Sequence, residues 1–215
     1  VMESTEQILF LGLGYIGLPT AITLAEAGFE VCGFDVKPEV VARLNSGKIH
    51  IVEPDLQEAM TQAMATGRLH FSSVPEPADV FIIAVQTPYR ETEEHKRVSD
   101  MRFVESAARE VGSVIRPGGL CVLESTSPPG STRLVEQIVS EVSGLKPEEF
   151  MTAHCPERII PGRMLLELRQ NDRIIGSNRP EAAEYAKSIY EKVVTKGTIR
   201  LTDDLTAEMC KLTEN

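Results

Sequence analysis

Residues 7–35 read QILFLGLGYIGLPTAITLAEAGFEVCGFD, and this stretch predicts both a fold and a ligand. A short apolar run enters a turn that carries Gly12, Gly14 and Gly17 in the spacing G-x-G-x-x-G, and a helix is predicted over residues 16–27. In dinucleotide-binding folds the first glycine permits the tight turn, the second lets a pyrophosphate approach the backbone, and the third allows close helix packing. The spacing therefore predicts a bound dinucleotide at the start of this helix.

An acidic residue after the next strand supports the same assignment. The strand predicted over residues 30–34 ends in Asp35, at the distance from the last glycine where a ribose-binding carboxylate is expected. Such a carboxylate accepts hydrogen bonds from a ribose hydroxyl and repels a 2′-phosphate, so we expect NAD rather than NADP. Lys37 and Arg43 follow in the sequence, and a cation near the ribose would tolerate a phosphate. The alternative interpretation of Asp35 is a turn or cap residue before Pro38.

The composition excludes several classes of partner. The 215 residues are 42% hydrophobic and 25% charged, which is typical of a globular protein with a substantial core. The net charge of −10 and the lack of a basic block argue against nucleic acid or an anionic membrane as partner. No apolar run is long enough to span a bilayer and the first residues are not typical of a signal peptide, so a cytoplasmic protein is expected.

The cysteines and histidines show no spacing typical of a metal site or a disulfide framework. The four cysteines are widely separated, with no C-x-x-C pair, and the four histidines are scattered as well. The sequence therefore predicts no metal site.

Strands and helices alternate along the rest of the chain. The predicted strands cover residues 69–72, 79–85, 120–124, 151–153, 172–175 and 198–201, and the predicted helices cover residues 38–45, 54–66, 100–115, 131–143 and 180–193. A polar segment over residues 89–99 interrupts this pattern and is predicted to be a mobile loop. The alternation predicts a doubly wound, mainly parallel α/β sheet of the Rossmann type.

Three segments follow predicted strands at the edge where such sheets bind their ligands. They are QTP at residues 86–88, STSPPG at residues 125–130 and CPER at residues 155–158. Turn and cap chemistry explains Thr87 or Thr126 when each is taken alone. Three such segments beside one dinucleotide motif favour a functional role.

Together these segments resemble the nucleotide-sugar 6-dehydrogenases, the family that includes UDP-glucose and UDP-N-acetylmannosamine dehydrogenases. The resemblance rests on GLGYIGLP at residues 12–19, ESTSPPGST at residues 124–132, CPERIIPG at residues 155–162 and AEMCKLTEN at residues 207–215. With IHIVEPDL at residues 49–56, these segments are most similar to the branch of the family that acts on UDP-N-acetyl-D-mannosamine.

The resemblance implies an activity and a set of site residues. The implied reaction is the NAD-dependent oxidation of the C6 alcohol of UDP-N-acetyl-D-mannosamine to the uronic acid, through two hydride transfers. The implied NAD contacts are Gly12, Gly14, Tyr15, Ile16, Gly17, Asp35, Thr87 and Thr126. The implied substrate contacts are Arg158, Ile159, Lys211 and Asn215, and the implied catalytic residues are Lys211, Asn215 and Glu157, with Glu157 near the reacting carbon.

The spacing of Lys211 and Asn215 agrees with these implied roles. They lie at positions i and i+4 of a predicted helix, and therefore on one face of it. An ammonium beside an amide can stabilise an alkoxide and orient a water molecule. Without the resemblance, a solvated helix surface is the preferred interpretation of both residues.

Two departures from the family pattern concern catalysis. The UDP-glucose branch has a second carboxylate four residues after the first, where this chain has Pro161. The family's catalytic cysteine lies in a GxC segment beyond the final helix. Neither Cys155, which precedes Pro156, nor Cys210, which lies within the predicted helix, is expected to replace it. We therefore expect residues 1–202 to form the NAD-binding domain and residues 203–215 to begin the helix that builds the family's homodimer. The fragment alone is expected to be inactive.

Three other functions remain open from the sequence. The first is another nucleotide-sugar 6-dehydrogenase, acting on UDP-N-acetylglucosamine or UDP-glucose. The second is a 6-phosphogluconate or 3-hydroxyacid dehydrogenase, against which Asp35 and the CPERIIPG segment argue. The third is a non-catalytic module that binds NAD or senses redox state.

Overall fold

A large sheet with helices on both faces forms the centre of the protein. The computed structural model describes residues 5–92 and 96–214, with the side chain of residue 214 left undescribed. The strands of the large sheet are β1 (Gln7–Leu11), β2 (Glu30–Phe34), β3 (Leu69–Ser72), β4 (Val80–Ile83), β7 (Leu120–Leu123), β8 (Met151–His154), β9 (Arg173–Gly176) and β10 (Ile199–Thr202). A separate hairpin contains β5 (Tyr89–Glu91) and β6 (Arg97–Ser99).

Eight α-helices flank or join these strands in the described part of the chain. They are α1 (Gly17–Glu26), α2 (Pro38–Asn45), α3 (Leu56–Ala65), α4 (Arg102–Val114), α5 (Ser131–Ser143), α6 (Met164–Gln170), α7 (Pro180–Tyr190) and α8 (Asp204–Glu214). A short 3₁₀ turn, Pro147–Glu149, precedes β8.

The strand order confirms the predicted doubly wound, mainly parallel sheet. The order is β10-β9-β8-β7-β4-β1-β2-β3, and the strands pair in parallel except where β8 meets β9 at His154 and Gly176. The chain builds outward from β1 through β2 to β3 and then returns to β4 on the other side of β1. The strand order therefore reverses between β1 and β4, which is where such sheets bind ligands.

The central strands are buried on both faces, which explains their continuous apolar sequences. In β1, Ile8 and Phe10 belong to the core that α1, α3 and α7 cover, whereas Leu9 and Leu11 belong to the core beneath α4 and α5. All four side chains are buried. Burial of each such side chain contributes about 1.5–3 kcal/mol, so a polar substitution on either face would destabilise the sheet.

The prediction of a mobile loop over residues 89–99 is wrong for the residues that the structure describes. Strands β5 and β6 pair antiparallel there, with Tyr89 opposite Ser99. The amide of Thr92 also donates a hydrogen bond to the carbonyl of Lys96 at 2.9 Å, which links the two arms of the hairpin. The pattern was missed because these strands are short and have no buried face, so no alternation of apolar and polar residues marks them. Residues 93–95 lie outside the described residues.

Helix α6 was not predicted, and its N-terminus explains why. The carboxylate of Glu53 accepts hydrogen bonds from the amides of Gly162 at 2.7 Å and Met164 at 2.8 Å. These amides lack intrahelical partners, and Glu53 satisfies them from a distant loop. A local cap motif is therefore not needed, and no local pattern reveals the helix.

Other boundaries agree to within a few residues. Helix α4 begins at Arg102, two residues after the predicted start at residue 100. The carboxylate of Asp100 nevertheless accepts the Arg102 amide at 3.2 Å, which is the hydrogen bond expected of a cap residue at position 100. Among residues 5–92 and 96–214, no helix is both long enough and apolar enough to cross a membrane.

Candidate functional site

The glycine turn after β1 has the geometry that its spacing predicts. Gly12 has a φ of +99°, and a Cβ there would lie 2.6 Å from the carbonyl oxygen of Ala84. A Cβ on Gly17 would overlap the carbonyl oxygen of Gly12, so this glycine lets α1 approach the turn. A Cβ on Gly14 would meet nothing within 4 Å, because Gly14 faces open space. The first and third glycines therefore build the turn, and the second leaves its backbone open to a ligand.

The start of α1 suits an anion. No side chain described in the structure caps this helix at Ile16, and its first turn contains no acidic residue. The first amides of a helix lack intrahelical partners and carry partial positive charge, so they favour a phosphate. Tyr15 and Ile16, on the turn itself, are 50% and 39% exposed, and both can contact a ligand that lies over the turn.

Asp35 is held in place at the end of β2 by the glycine turn. One carboxylate oxygen accepts the amide of Leu13 at 3.1 Å, and the other accepts the amide of Lys37 at 3.0 Å. Each carboxylate oxygen has two lone pairs, so both can still accept a ribose hydroxyl. The turn-residue interpretation of Asp35 and the ribose interpretation are therefore compatible. Arg43 donates its Nε to the carbonyl of Ile49 at 3.0 Å, which ties this cation to the following loop.

A pocket of about 90 Å³ lies between the glycine turn and α4. Its lining residues are Leu11, Gly12, Phe34, Asp35, Val36, Val85, Phe103, Ser106, Ala107 and Glu110. Apolar side chains form most of this list, as a flat purine base requires, and the ribose-type carboxylate lies at the pocket's edge. The turn, the acid and the pocket together fit the adenosine and pyrophosphate parts of NAD.

Hydrogen bonds join the loops that follow β4 and β7. The hydroxyl of Thr87 donates to the carbonyl of Thr126 at 2.6 Å, and the hydroxyl of Ser125 donates to the carbonyl of Val85 at 2.7 Å. Both loops lie at the carboxyl edge of the sheet beside the reversal of strand order. The structure therefore brings Thr87 and Thr126 together, in a place that suits the remainder of a dinucleotide.

Glu157 is buried and has a charge partner that the sequence did not indicate. Its Oε2 lies 2.5 Å from Nη2 of Arg173, and both side chains are almost fully buried. Its Oε1 accepts the amide of Arg158 at 2.7 Å. The guanidinium of Arg173 also lies 3.8 Å from Glu124 and 4.8 Å from the centre of the Tyr190 ring. The antiparallel direction of β9 makes this possible, because it places Arg173 beside the end of β8.

The buried cluster of Glu124, Glu157 and Arg173 contains two carboxyl groups and one guanidinium. Burial raises the pKa of Glu124 to about 7, with Arg173 opposing that rise and Glu157 adding to it. The hydroxyl of Tyr190 donates to Glu124 at 2.7 Å. Burial raises the pKa of the Cys155 thiol to about 12, so that cysteine is neutral at ordinary pH and is not a thiolate nucleophile.

An open pocket of about 230 Å³ lies beyond the end of β8, next to α8. Its lining residues are Pro156, Arg158, Asp172, Arg173, Ile174, Arg200 and Cys210. Arg158 is exposed, Ile159 is partly buried, and Lys211 is a partly buried neighbour of Cys210 on α8. Arg158 and Arg200 are exposed, and two such guanidinium groups suit an anionic ligand such as a diphosphate, whereas Arg173 is buried and already paired with Glu157. Asn215, the remaining candidate, lies outside the described residues.

Two buried acids, which the sequence analysis missed, fix α8 against α5. The carboxylate of Glu208 accepts the amide of Gly130 at 2.6 Å and the amide of Thr132 at 2.7 Å. Asp204 accepts two hydrogen bonds from the guanidinium of Arg133, at 2.7 and 3.1 Å. The sequence gives no signal for this contact, because a glutamate in a helix is ordinarily exposed, whereas Glu208 is fully buried. These contacts hold Lys211 near the arginine pocket.

Comparison with known proteins gives a consistent result. Residues 6–194 match the NAD binding domain of the UDP-glucose/GDP-mannose dehydrogenase family. The chain is 45% identical to an NDP-N-acetyl-D-galactosaminuronic acid dehydrogenase of Ralstonia nicotianae, with 97% of this chain and 50% of that protein covered. It is 42% identical to the UDP-N-acetyl-D-mannosamine dehydrogenase of Escherichia coli K12, with the same coverage.

A solved structure agrees with the sequence comparisons. The UDP-N-acetyl-D-mannosamine dehydrogenase of Pyrococcus horikoshii superposes with a TM-score of 0.90 at 41% identity, over 97% of this chain and 49% of that one. The chain thus spans about half the length of the relatives that it matches. The glycine turn, Asp35 and the adjoining pocket lie within the matched residues. The chain belongs to the UDP-glucose/GDP-mannose dehydrogenase family and contains its NAD-binding domain.

Proposed function

We propose that the protein oxidises the C6 alcohol of UDP-N-acetyl-D-mannosamine to the corresponding uronic acid. The observation that carries this proposal is the arginine pocket next to the NAD-binding edge of the sheet, in a chain 40–45% identical to dehydrogenases of N-acetylated nucleotide sugars. A UDP-sugar carries a diphosphate that the pocket's cations suit. The chain supplies the cofactor-binding portion of that enzyme.

The reaction removes four electrons in two steps. The alcohol loses a hydride and a proton to give the aldehyde, and the aldehyde, after addition of water, loses a second hydride and two protons to give the carboxylate. A bound NAD+ would supply the hydride acceptor for each step, so two molecules of NADH would form per sugar. The Gly14 backbone and the Asp35 carboxylate hold that cofactor at the carboxyl ends of β1 and β2.

In this proposal the residues of the CPER segment and α8 hold the sugar. Arg158 and Ile159 contact the nucleotide sugar, and Lys211 donates to the C6 oxygen as negative charge develops on it. Asn215 orients the water or the same oxygen. Glu157 acts near the reacting carbon from a position that Arg173 fixes by its ion pair.

We further propose that the intact enzyme is a homodimer built around α8. Leu205, Met209 and Leu212 are 36%, 45% and 38% exposed, and they follow one another at the i, i+4 and i+7 positions of this helix. Such spacing puts them on one face, and an apolar face of this kind is typical of a helix that packs against a partner.

A substrate panel with the intact enzyme tests the proposed reaction. NADH formation is followed with UDP-N-acetyl-D-mannosamine and with the corresponding N-acetylgalactosamine, N-acetylglucosamine and glucose compounds. The proposal predicts the highest kcat/KM for the mannosamine sugar and two NADH per sugar consumed. A higher kcat/KM for UDP-N-acetyl-D-galactosamine would assign the activity named for the Ralstonia relative instead. NAD binding without NADH formation from any of the four sugars would indicate a non-catalytic module.

A further inference from the structure

A further pocket, beside the sheet, contains three side chains of types that bind transition metals. Cys32 on β2 and His70 on β3 are direct partners in the register of two parallel strands, so both side chains lie on the same face. Glu76 lies in the segment between β3 and β4, which returns past this face without forming a helix. The pocket shares no lining residue with the one that fits adenosine.

The three ligand atoms already lie close together. Nε2 of His70 is 3.0 Å from Oε2 of Glu76, and one ligand atom from each of the three residues lies within 4.8 Å of the others. A tetrahedral zinc ion has bonds of about 2.0–2.3 Å, so its ligand atoms stand about 3.3–3.8 Å apart. Small side-chain adjustments bring the observed cluster to that spacing. His70 is exposed and Glu76 is partly exposed, so no core packing opposes the movement of their side chains.

We propose that Cys32, His70 and Glu76 form a Zn²⁺ site that is independent of NAD. A sulfur, an imidazole nitrogen and a carboxylate oxygen match the ligand set that Zn²⁺ accepts, whereas Mg²⁺ and Ca²⁺ prefer oxygen ligands alone. The pocket of about 80 Å³ has room for the ion and for a water molecule as the fourth ligand. Residue spacing does not reveal this site, because strand pairing joins Cys32 to His70 and the loop after β3 adds Glu76.

Zn²⁺ binding should release a proton, because the thiol of Cys32 is protonated in the metal-free protein. Burial, with Glu76 as a further cause, raises the pKa of the Cys32 thiol to about 12, so the metal-free cysteine is protonated. The metal ligand is the thiolate, so binding must release that proton. Glu30, His70 and Glu76 are the titratable groups that line the pocket beside Cys32.

The expected consequence of binding is structural. The ion would join β2, the edge strand β3 and the segment that leads to β4, and would thereby brace the strand that ends at Asp35. Because it binds the folded state, Zn²⁺ should raise the melting temperature in a concentration-dependent way.

Calorimetric titration of the purified, reduced protein with Zn²⁺, and separately with Mg²⁺, tests the proposal. One equivalent of Zn²⁺ should bind and Mg²⁺ should not, and buffers of different ionisation enthalpy should reveal about one released proton. Mutation of a residue that hydrogen-bonds to a metal ligand typically lowers metal affinity about 10–100-fold. Removal of the ligand itself, in His70→Ala, should therefore lower the Zn²⁺ affinity by about 100-fold or more. Co²⁺ should give a thiolate charge-transfer band that Cys32→Ser abolishes.

A matched pair of variants separates a metal site from general attraction of cations. Glu76→Gln and Glu30→Gln remove the same charge from the same pocket, but only Glu76 belongs to the cluster. Glu76→Gln should weaken Zn²⁺ binding, and Glu30→Gln should leave it essentially unchanged. The proposal fails if wild-type protein binds Zn²⁺ no tighter than Mg²⁺, or if His70→Ala and Glu76→Gln bind it as wild type does. These two variants decide the matter even where Cys32→Ser does not fold, because their side chains lie outside the core.

Discussion

The carboxylate of Glu208 accepts hydrogen bonds from both the amide and the hydroxyl of Thr132, at 2.7 and 2.6 Å. Glu208 belongs to α8 and Thr132 to the first turn of α5, so an acid from one helix satisfies the N-terminus of another. A negative charge at this end of a helix is favourable, and a buried one interacts more strongly than an exposed one. The contact therefore sets the position of α8, and with it the position of Lys211 one turn later.

Replacing Glu208 by glutamine should loosen α8 and destabilise the fold. The amide group has one oxygen, so at least one of the Gly130 and Thr132 amides would lose its acceptor and face an N–H group. Hydrogen bonds to a charged group are worth about 1.5–3 kcal/mol each, and we expect a loss of about 2–4 kcal/mol in the free energy of unfolding. Urea denaturation measures the loss, and hydrogen exchange should show faster exchange in α8.

Glu141→Gln is the matched control for that variant. Glu141 lies on the exposed side of α5, where it accepts a hydrogen bond from Gln137. Its replacement should change the free energy of unfolding by no more than about 0.5 kcal/mol, as is usual for surface sites. Equal effects of the two substitutions would contradict the anchoring role of Glu208.

Asp35→Asn should weaken NAD binding and reduce discrimination against NADP. The asparagine oxygen can still accept the Leu13 amide, so the glycine turn should survive, although the exposed Lys37 amide loses its acceptor. The charge that binds a ribose hydroxyl is lost. A hydrogen bond to a charged group contributes about 1.5–3 kcal/mol, which corresponds to a roughly 10- to 100-fold loss of NAD affinity. Titration with both cofactors measures this ratio. Glu39→Gln, an exposed acid in the first turn of α2, should leave both affinities near wild type.

Lys211→Ala in the intact enzyme should reduce turnover far more than it weakens NAD binding. A cation beside the C6 oxygen stabilises the transition state more than the ground state, and loss of one such donor typically lowers kcat by about 10²–10³-fold. Lys187→Ala on α7, a surface lysine that pairs with Glu191, is the control and should leave kcat unchanged. A kcat within about threefold of wild type for Lys211→Ala, well below that expected loss, would return this residue to the solvated-surface interpretation.

The buried carboxyl of Glu124 should make stability depend on pH. Its folded pKa of about 7 lies above the ordinary value of 4.5, so the fold prefers the protonated form. This contribution is fully present below about pH 4.5 and is lost as the pH rises through about 7. Glu124→Gln stays neutral throughout, so its stability relative to wild type should increase between pH 5 and pH 8, by on the order of 1–3 kcal/mol. Parallel pH dependences of the two proteins would show that Glu124 does not titrate in this range.

The parts of this structure that local patterns specify were predictable from the sequence. The glycine turn needs three positions and one acid at a fixed spacing, and the central strands need unbroken apolar runs because helices cover both faces. Helix α5 was predicted from Ser131 to Ser143, which are its bounds in the structure. In each case the residues that determine the element are neighbours along the chain.

The parts that were missed depend on contacts between distant residues. The hydrogen bonds from Gly130 and Thr132 to Glu208, the cap of α6 by Glu53 and the ion pair of Glu157 with Arg173 all join separate segments. A glutamate in a helix is ordinarily exposed, so its type alone does not announce burial. The candidate roles of Lys211 and Asn215 came from resemblance, because charge and helical spacing alone fit a solvated surface equally well.

The bridge from Glu53 to Gly162 and Met164 bears on how this protein can be engineered. A chimera that moves the 155–164 segment of this protein into a relative, in order to change the sugar accepted, would leave this helix start without its acceptor if that relative has no acid at the position of Glu53. The two segments should be exchanged together. In natural variants, replacement of Glu53 should be accompanied by changes around residues 162–164, a covariation between loops that are far apart in the chain but joined by two hydrogen bonds.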